Sequence, residues 1–300
     1  MAHDHEHFEH ARSGNRKALV WALLITVSIM FLEFFGGLFT NSLALIADSG
    51  HMLSDAAALF LSLGAIWFAG KAASGNKTYG YYRFEIIAAF FNGITLFVMA
   101  GFIVYEAVDR FYNPPEVRGG WMLAIAVIGL LANILSAWVI SKKGDVHGNL
   151  NMKSAYLHVI GDALGSVGAI IAGLLILFFD WTIADPVISV LVALLILRSA
   201  WRVLQNSIHI LMEGTPVTVN VAEVKRMLLA IDGVRDVHDL HIWTITSGMD
   251  LLTCHLDIEE GAEEQEVLKK AVALISENCK IEHTTIQIEK PAFDHHDLKV

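Results

Sequence analysis

The sequence predicts an α-helical membrane protein of six transmembrane helices, followed by a small C-terminal α+β domain of element order αββαβ. Three observations predict it. Of the 300 residues, 55% are hydrophobic and only 17% charged, against roughly 25% charged in a soluble domain. The charge is unevenly placed: residues 213–300 carry 17 acids and 8 bases, whereas residues 1–212 carry 14 acids and 13 bases. Long apolar runs fill the near-neutral part, and short alternating or helical patterns fill the acidic part.

A spanning helix needs about 20 mostly apolar residues. Leu19 to Phe39 supplies the first, interrupted only by Glu33. Leu43 to Ala69 is the second and carries Asp48, His51 and Asp55; Ile86 to Tyr105 and Trp121 to Ser141 are uncharged. Tyr156 to Phe179 holds His158 and Asp162, and Ile183 to Leu197 is the shortest, with Asp185 near its start. Lys and Arg collect on the cytoplasmic side of a membrane protein. Eleven of them (Arg12, Arg16, Lys17, Lys71, Lys77, Arg83, Lys142, Lys143, Lys153, Arg198 and Arg202) fall on the side of both termini, and only Arg110 and Arg118 on the other. Both termini are therefore expected in the cytoplasm.

In the acidic part, Val221 to Ile231 and Ala262 to Asn278 have helical spacing. Val234 to Thr246, Leu251 to Ile258 and Thr284 to Glu289 alternate as strands, the first two separated by Ser247-Gly248. The expected domains are a His-rich tail at 1–16, a six-helix membrane domain at 17–212 and a cytoplasmic domain at 213–300. The composition also excludes classes. Two cysteines, Cys254 and Cys279, make neither a disulfide framework nor a four-cysteine metal site. An acidic chain without a basic run is no nucleic-acid binder, and the polar, acidic start Met1 to His7 is no signal peptide.

Two membrane segments repeat the pattern His-x-x-x-Asp, as His51 with Asp55 and His158 with Asp162. Residues four apart share a helix face, and ionisable groups in a bilayer face a partner or a water-filled path. Two imidazoles and two carboxylates can close a tetrahedral site suited to Zn(II), without the thiolates that select Cu(I). The second and fifth spans run in opposite directions, so each His can lie across from the other helix's Asp. A small-residue stripe at Gly161, Gly165, Ala169 and Gly173 permits close helix contact. Against this stand an ordinary interhelical hydrogen bond and a purely structural ion. Glu33 and Asp48 are further polar residues near the site.

The segments Ala47 to Asp55, Tyr79 to Glu85, Leu157 to Ala163 and His238 to Trp243 resemble the cation diffusion facilitator family, most closely its zinc, cadmium and cobalt efflux branch. The resemblance runs from about Arg16 to Glu289. It implies a homodimeric metal/proton antiporter in the inner or plasma membrane, with a cytoplasmic ferredoxin-like, metallochaperone-like domain. It also implies His51, Asp55, His158 and Asp162 as transport ligands, Zn(II) as substrate and regulatory ion, and no organic cofactor. Relatives with metal-binding histidines between the second and third spans have no counterpart here, since Lys71 to Glu85 contains none. Arg83 and Glu213 stand where an ion pair is expected.

A hairpin joining the first two strands through a four-residue loop, Ile245 to Gly248, puts His238 opposite His255. Directly opposed strand residues can share a metal, and the resemblance adds Glu289 as third ligand, with Gln287 where some relatives have another His. Alternation places His241 on the opposite face, as a structural residue. His3, His5, His7 and His10 can bind metal weakly or form a disordered tail. Glu106 and Asp109 read as solvated boundary charges, and His209 and His283 as non-functional. The expected function is proton-coupled export of Zn(II), with Cd(II) and Co(II). The alternatives are a membrane metal sensor signalling through the cytoplasmic domain and an intramembrane metalloenzyme. The last is disfavoured because four protein ligands leave no open coordination position.

Overall fold

The structure is a computed structural model of the chain, and it describes residues 2–53, 56, 75–143, 150–246 and 248–290. Six helices come first: α1 (Ala2–Thr40), α2 (Leu43–Leu53), α3 (Phe84–Tyr112), α4 (Gly119–Lys143), α5 (Leu150–Phe179) and α6 (Ala184–Leu211). Five of these are long and apolar enough to cross a membrane; the second expected span is described only over α2, and the rest of it lies outside the described residues. The chain divides into two units, 1–62 with 91–203 and 63–90 with 204–300.

Several expected boundaries move. Helix α1 begins at Ala2, so the His-rich stretch 2–16 is the first part of a continuous helix, not a disordered tail. Its residues are mostly Ala, Glu, Arg and His without proline, which does not interrupt a helix already nucleated by the apolar run. Helix α6 extends to Leu211, well past the expected end at Leu197. Arg198 and Arg202 are tolerated there because α6 continues beyond the stretch that must stay apolar.

The membrane unit packs through small residues, because bulky side chains gain nothing by leaving lipid for another helix. Leu96, Ala100, Ile103 and Ala107 of α3 form a buried cluster with Ala193, Ile196 and Ala200 of α6 and with Leu43 and Ala47 of α2. On the outer faces large apolar residues stay exposed, among them Phe91, Val98, Phe102 and Tyr105 of α3 and Leu195 of α6. Of the small-residue stripe on α5, Gly165 receives Asp48, Ala169 lies in a buried cluster and Gly173 admits Leu123 of α4. Gly161 is the exception, with no atom of the described residues within 4 Å of where a Cβ would stand.

Helix α2 starts on a buried anchor. Thr40 ends α1 and Asn41 turns the chain with φ 57°, the left-handed conformation that commonly ends a helix. Asp185 of α6 then accepts hydrogen bonds from Ser42 Oγ at 2.7 Å, Leu43 N at 2.7 Å and Ala44 N at 3.1 Å. The first N–H groups of a helix have no partner within it, and one carboxylate satisfies two of them. The Ser42 hydroxyl in turn caps Leu45 N at 3.3 Å. Arg110 of α3 sits 3.6 Å from Asp185, donates to the Asn41 carbonyl at 2.5 Å and is held by Glu106 at 3.0 Å. Glu106 therefore belongs to this network and is not the solvated boundary charge that sequence suggested; Asp109 accepts from Asn113 at 3.2 Å.

The second unit carries α7 (Val221–Leu229), β1 (Val234–Thr246), β2 (Met249–Ile258), α8 (Glu264–Cys279) and β3 (His283–Glu289). The sheet order is β1-β2-β3, antiparallel between the first pair and parallel between the second. Asn220 caps α7 by accepting from Ala222 N at 3.0 Å and Glu223 N at 3.3 Å. The apolar faces of both helices cover one face of the sheet, where Val224, Leu228, Val267, Ala271 and Ile275 meet Val237, Ile242, Leu252, Cys254 and Leu256. The expected αββαβ order is present.

The anchor makes a stability prediction. Asp185→Ala leaves Arg110 and the start of α2 without their buried partner, so thermal unfolding in detergent should report a loss of about 3 kcal/mol. Asp109→Ala, at an exposed helix end, should change stability by less than about 0.5 kcal/mol.

Candidate metal centres

The open face of the sheet holds a three-residue cluster. His238 of β1 lies directly opposite His255 of β2, and Asp257, two residues further, is level with Glu289 of β3. One ligand atom from each of His238, His255 and Glu289 lies within 4.8 Å of the other two. Glu289 Oε1 is 2.8 Å from His255 Nδ1, and Oε2 is 3.4 Å from His238 Nε2. The two imidazole rings meet edge to face, with centroids 5.2 Å apart. Glu289 is buried, and Gln287 donates to its Oε1 at 2.9 Å. Two nitrogens and a carboxylate converging in this way can hold a divalent transition metal and leave room for further ligands.

The expected pairing of His238 with His255 is present, but the expected loop is not. The hairpin closes on Thr246 and Met249, two residues further along β1 than the Thr244 pairing assumed from sequence. Irregularities between Thr244 and Thr246 and between His238 and His241 each insert one extra residue into β1, so the two shifts restore the pair. The second has another effect. Asp239 takes φ 46° there, and His241 comes to pair with Thr253, on the same face as His255. His241 is exposed on the open face beside His238. The simple alternation that put it on the other face fails because a bulge inverts the side-chain phase.

In the membrane unit the expected tetrad is described in part. His51 is half-buried on α2 and Asp162 is buried on α5. His158 lies on α5 one turn before Asp162, but its side chain is outside the described residues, and so is Asp55 altogether. Glu33 of α1 and Asp48 of α2 are also buried, within electrostatic reach of Asp162. Two glycines make room for them: a Cβ at Gly129 of α4 would run into Glu33, and one at Gly165 of α5 would run into Asp48. Sequence reasoning missed Asn133 and Ser136 of α4, both fully buried. An uncharged amide and hydroxyl in an apolar run give no signal until their helix neighbours are known. Within the second unit, Arg83 pairs with Glu213 at 2.9 Å as expected, and Glu85 accepts from the Thr246 hydroxyl of β1. His209 packs against Gly214 and bonds the Thr215 carbonyl at 2.8 Å, and His283 meets the Tyr79 ring edge-on.

Apolar helices carrying buried carboxylates, joined to a small mixed sheet with a His/His/Glu cluster, define a multi-pass membrane protein with an appended α+β domain. Residues 19–212 match the sequence model described as the cation efflux transmembrane domain, and residues 216–291 that of the cation efflux protein cytoplasmic domain. The chain belongs to the cation efflux family. It is 47% identical to the "Cadmium, cobalt and zinc/H(+)-K(+) antiporter" of Bacillus subtilis, over 98% of this chain and 94% of that one. It is 44% identical to "Zinc transporter ZitB" of Escherichia coli, over 96% of this chain and 93% of that one. "Metal cation efflux system protein CzcD" of Cupriavidus metallidurans is 42% identical, over 96% of this chain and 89% of that one.

The sheet also fixes the chemistry of its thiol. Cys254 points from β2 into the core, and burial pushes its thiol up to about 12. The folded protein should therefore keep Cys254 protonated and unreactive to iodoacetamide at pH 8, whereas the half-exposed Cys279 is alkylated, read by mass spectrometry. Because the folded thiol holds its proton more tightly than the unfolded one, its contribution to stability is complete below the ordinary thiol range. It is lost as pH rises toward about 12.

Proposed function

We propose that this chain exports Zn(II), and with it Cd(II) and Co(II), from the cytoplasm in exchange for monovalent cations, protons first among them. It works as a homodimer in the inner or plasma membrane with both termini cytoplasmic. The transported ion is held by His51, Asp55, His158 and Asp162. The observation that carries this reading is the buried Asp162 on α5, one turn from His158, in a chain nearly half identical to named zinc, cadmium and cobalt antiporters. Ionisable residues withdrawn from lipid in membrane helices commonly mark ion paths.

The residue chemistry supports exchange. A divalent ion binds neutral imidazole and ionised carboxylate, so its arrival displaces whatever protons the site holds. Imidazole titrates near physiological pH, which lets the same ligands alternate between metal and proton. No group transfer is involved, and the four protein ligands leave no position for a reacting water. Borderline imidazole at His51 favours Zn(II) over harder ions.

A second ion, at His238, His255 and Glu289, has a regulatory part in this reading. The cluster lies outside the membrane helices, its donors converge, and its histidines remain about one-quarter exposed, which leaves an entry path.

Inside-out vesicles with an acidic interior test the transport reading. Zinc uptake should fall to background in His51→Ala, Asp55→Ala, His158→Ala and Asp162→Ala while each variant remains a folded dimer. Full flux in any one would remove that residue from the site. For the cytoplasmic cluster, the double variant His238→Ala/His255→Ala should bind one zinc fewer per chain in equilibrium dialysis and keep a substantial part of the flux. An unchanged stoichiometry would refute the cluster as a metal site.

A further inference from the structure

We infer that Glu33 and Asp48 form a second cation seat in the membrane unit, beside Asp162, which takes a hard monovalent cation (a proton or a potassium ion) in alternation with the exported metal. The inference rests on the antiport reading above and goes beyond it by separating the counter-cation from the four metal ligands.

Four features of the structure carry it. First, both carboxylates are withdrawn from solvent, Glu33 at 0% and Asp48 at 2% exposure, and no described Lys or Arg pairs with either. Second, the bundle is shaped to receive them. Gly129 and Gly165 each leave the space of one Cβ, and that space is filled by an oxygen of Glu33 and of Asp48 respectively. The Ser166 hydroxyl stands 3.3 Å from the same position at Gly129 and donates to the Asp162 carbonyl at 3.3 Å.

Third, buried polar atoms near these acids and along α4 have few bonds to make. Oδ2 of Asp48, both amide atoms of Asn133 and the Ser136 hydroxyl have no hydrogen-bond partner among the described residues, and Glu33 has only the Ser166 hydroxyl within reach. Asn133 is independent of the acids. It lies one turn beyond Gly129 on α4, on the helix face that meets Glu33. Buried polar groups in native proteins are bonded, and a cluster of exceptions marks a missing ion or water. Fourth, the donors are carboxylate, amide and hydroxyl oxygens only. Such a set suits hard cations, whereas the imidazole-bearing site suits zinc.

The placement explains coupling by charge alone. Around Glu33, α2 presents Asp48 with His51 three residues further, α5 presents Asp162, and α4 presents only the neutral Asn133 and Ser136. An empty seat leaves two negative charges near Asp162 and strengthens its hold on a divalent ion. A filled seat cancels charge there and weakens it. Metal and counter-cation therefore exclude each other electrostatically without sharing a ligand.

The test uses the full chain in proteoliposomes, with zinc flux followed under a pH gradient at equal potassium and under a potassium gradient at equal pH. Zinc affinity is measured separately by calorimetry. The parent should be stimulated about fivefold or more by at least one gradient, and the gradient that works identifies the cation. Glu33→Gln and Asp48→Asn should bind zinc somewhat more weakly, as the parent does with its seat filled, keep downhill zinc flux and lose the stimulation. Gly129→Ala, which removes no carboxylate but pushes Glu33 out of its cradle, should lose it too, and it serves if a carboxylate variant does not fold. Stimulation equal to the parent's in folded variants overturns the seat while leaving antiport standing. Zinc binding abolished in Glu33→Gln or Asp48→Asn, rather than moderately weakened, overturns it in a different way, by making these residues metal ligands. A parent indifferent to both gradients removes the antiport reading and this inference with it.

Discussion

The carboxylate of Asp185 satisfies, at one point, the demand a bilayer places on every buried polar group. Lipid offers no hydrogen bonds, so backbone and charge must be paired inside the protein. Asp185 bonds the hydroxyl of Ser42 and two free N–H groups at the start of α2, and Arg110 of α3 stands against it. Three helices are tied where the short turn after Thr40 would otherwise leave buried donors without partners. Helix α2 carries Asp48 and His51, so the position of the candidate metal ligands follows from this contact. The small residues of α3 and α6 let the helices approach closely enough for it to form.

The same demand makes a second group of buried polar residues informative. Asp185 is buried and fully bonded; Oδ2 of Asp48, Asn133 and Ser136 are buried without bonds among the described residues, and Glu33 has only the Ser166 hydroxyl beside it. One set builds the scaffold; the other is the proposed seat of an exchanging cation. A rigid anchor and a group of uncommitted polar atoms in one membrane unit are what ion exchange requires, because the ion must find ligands that no structural contact already occupies.

In the second unit the physics is that of a soluble sheet. Helices α7 and α8 seal one face, and the other face keeps His238, His255 and Glu289 together. Glu289 lies between the two imidazoles and is steadied by Gln287. The cluster depends on strand pairing over a long sequence separation, so it forms only when β3 has docked beside β2.

Periodicity carried much of this protein into view from the sequence. Long apolar runs announce membrane helices because a bilayer leaves no other way to pair the backbone. Two His-x-x-x-Asp patterns stand out because spacing of four places each pair on one helix face. What the sequence could not settle were the features that depend on neighbours distant in the chain. The bulge at Asp239 brings His241 onto the metal-cluster face, and two irregularities in β1 restore the His238–His255 pair that a simpler hairpin had also suggested. Glu106 changed from a boundary charge to a support of Arg110 once α2, α3 and α6 were packed. Asn133 gained meaning only when Gly129, one turn away, was seen to receive Glu33. Local spacing determines which residues share a face; tertiary packing decides what that face meets, because a partner's position is set by contacts far away along the chain.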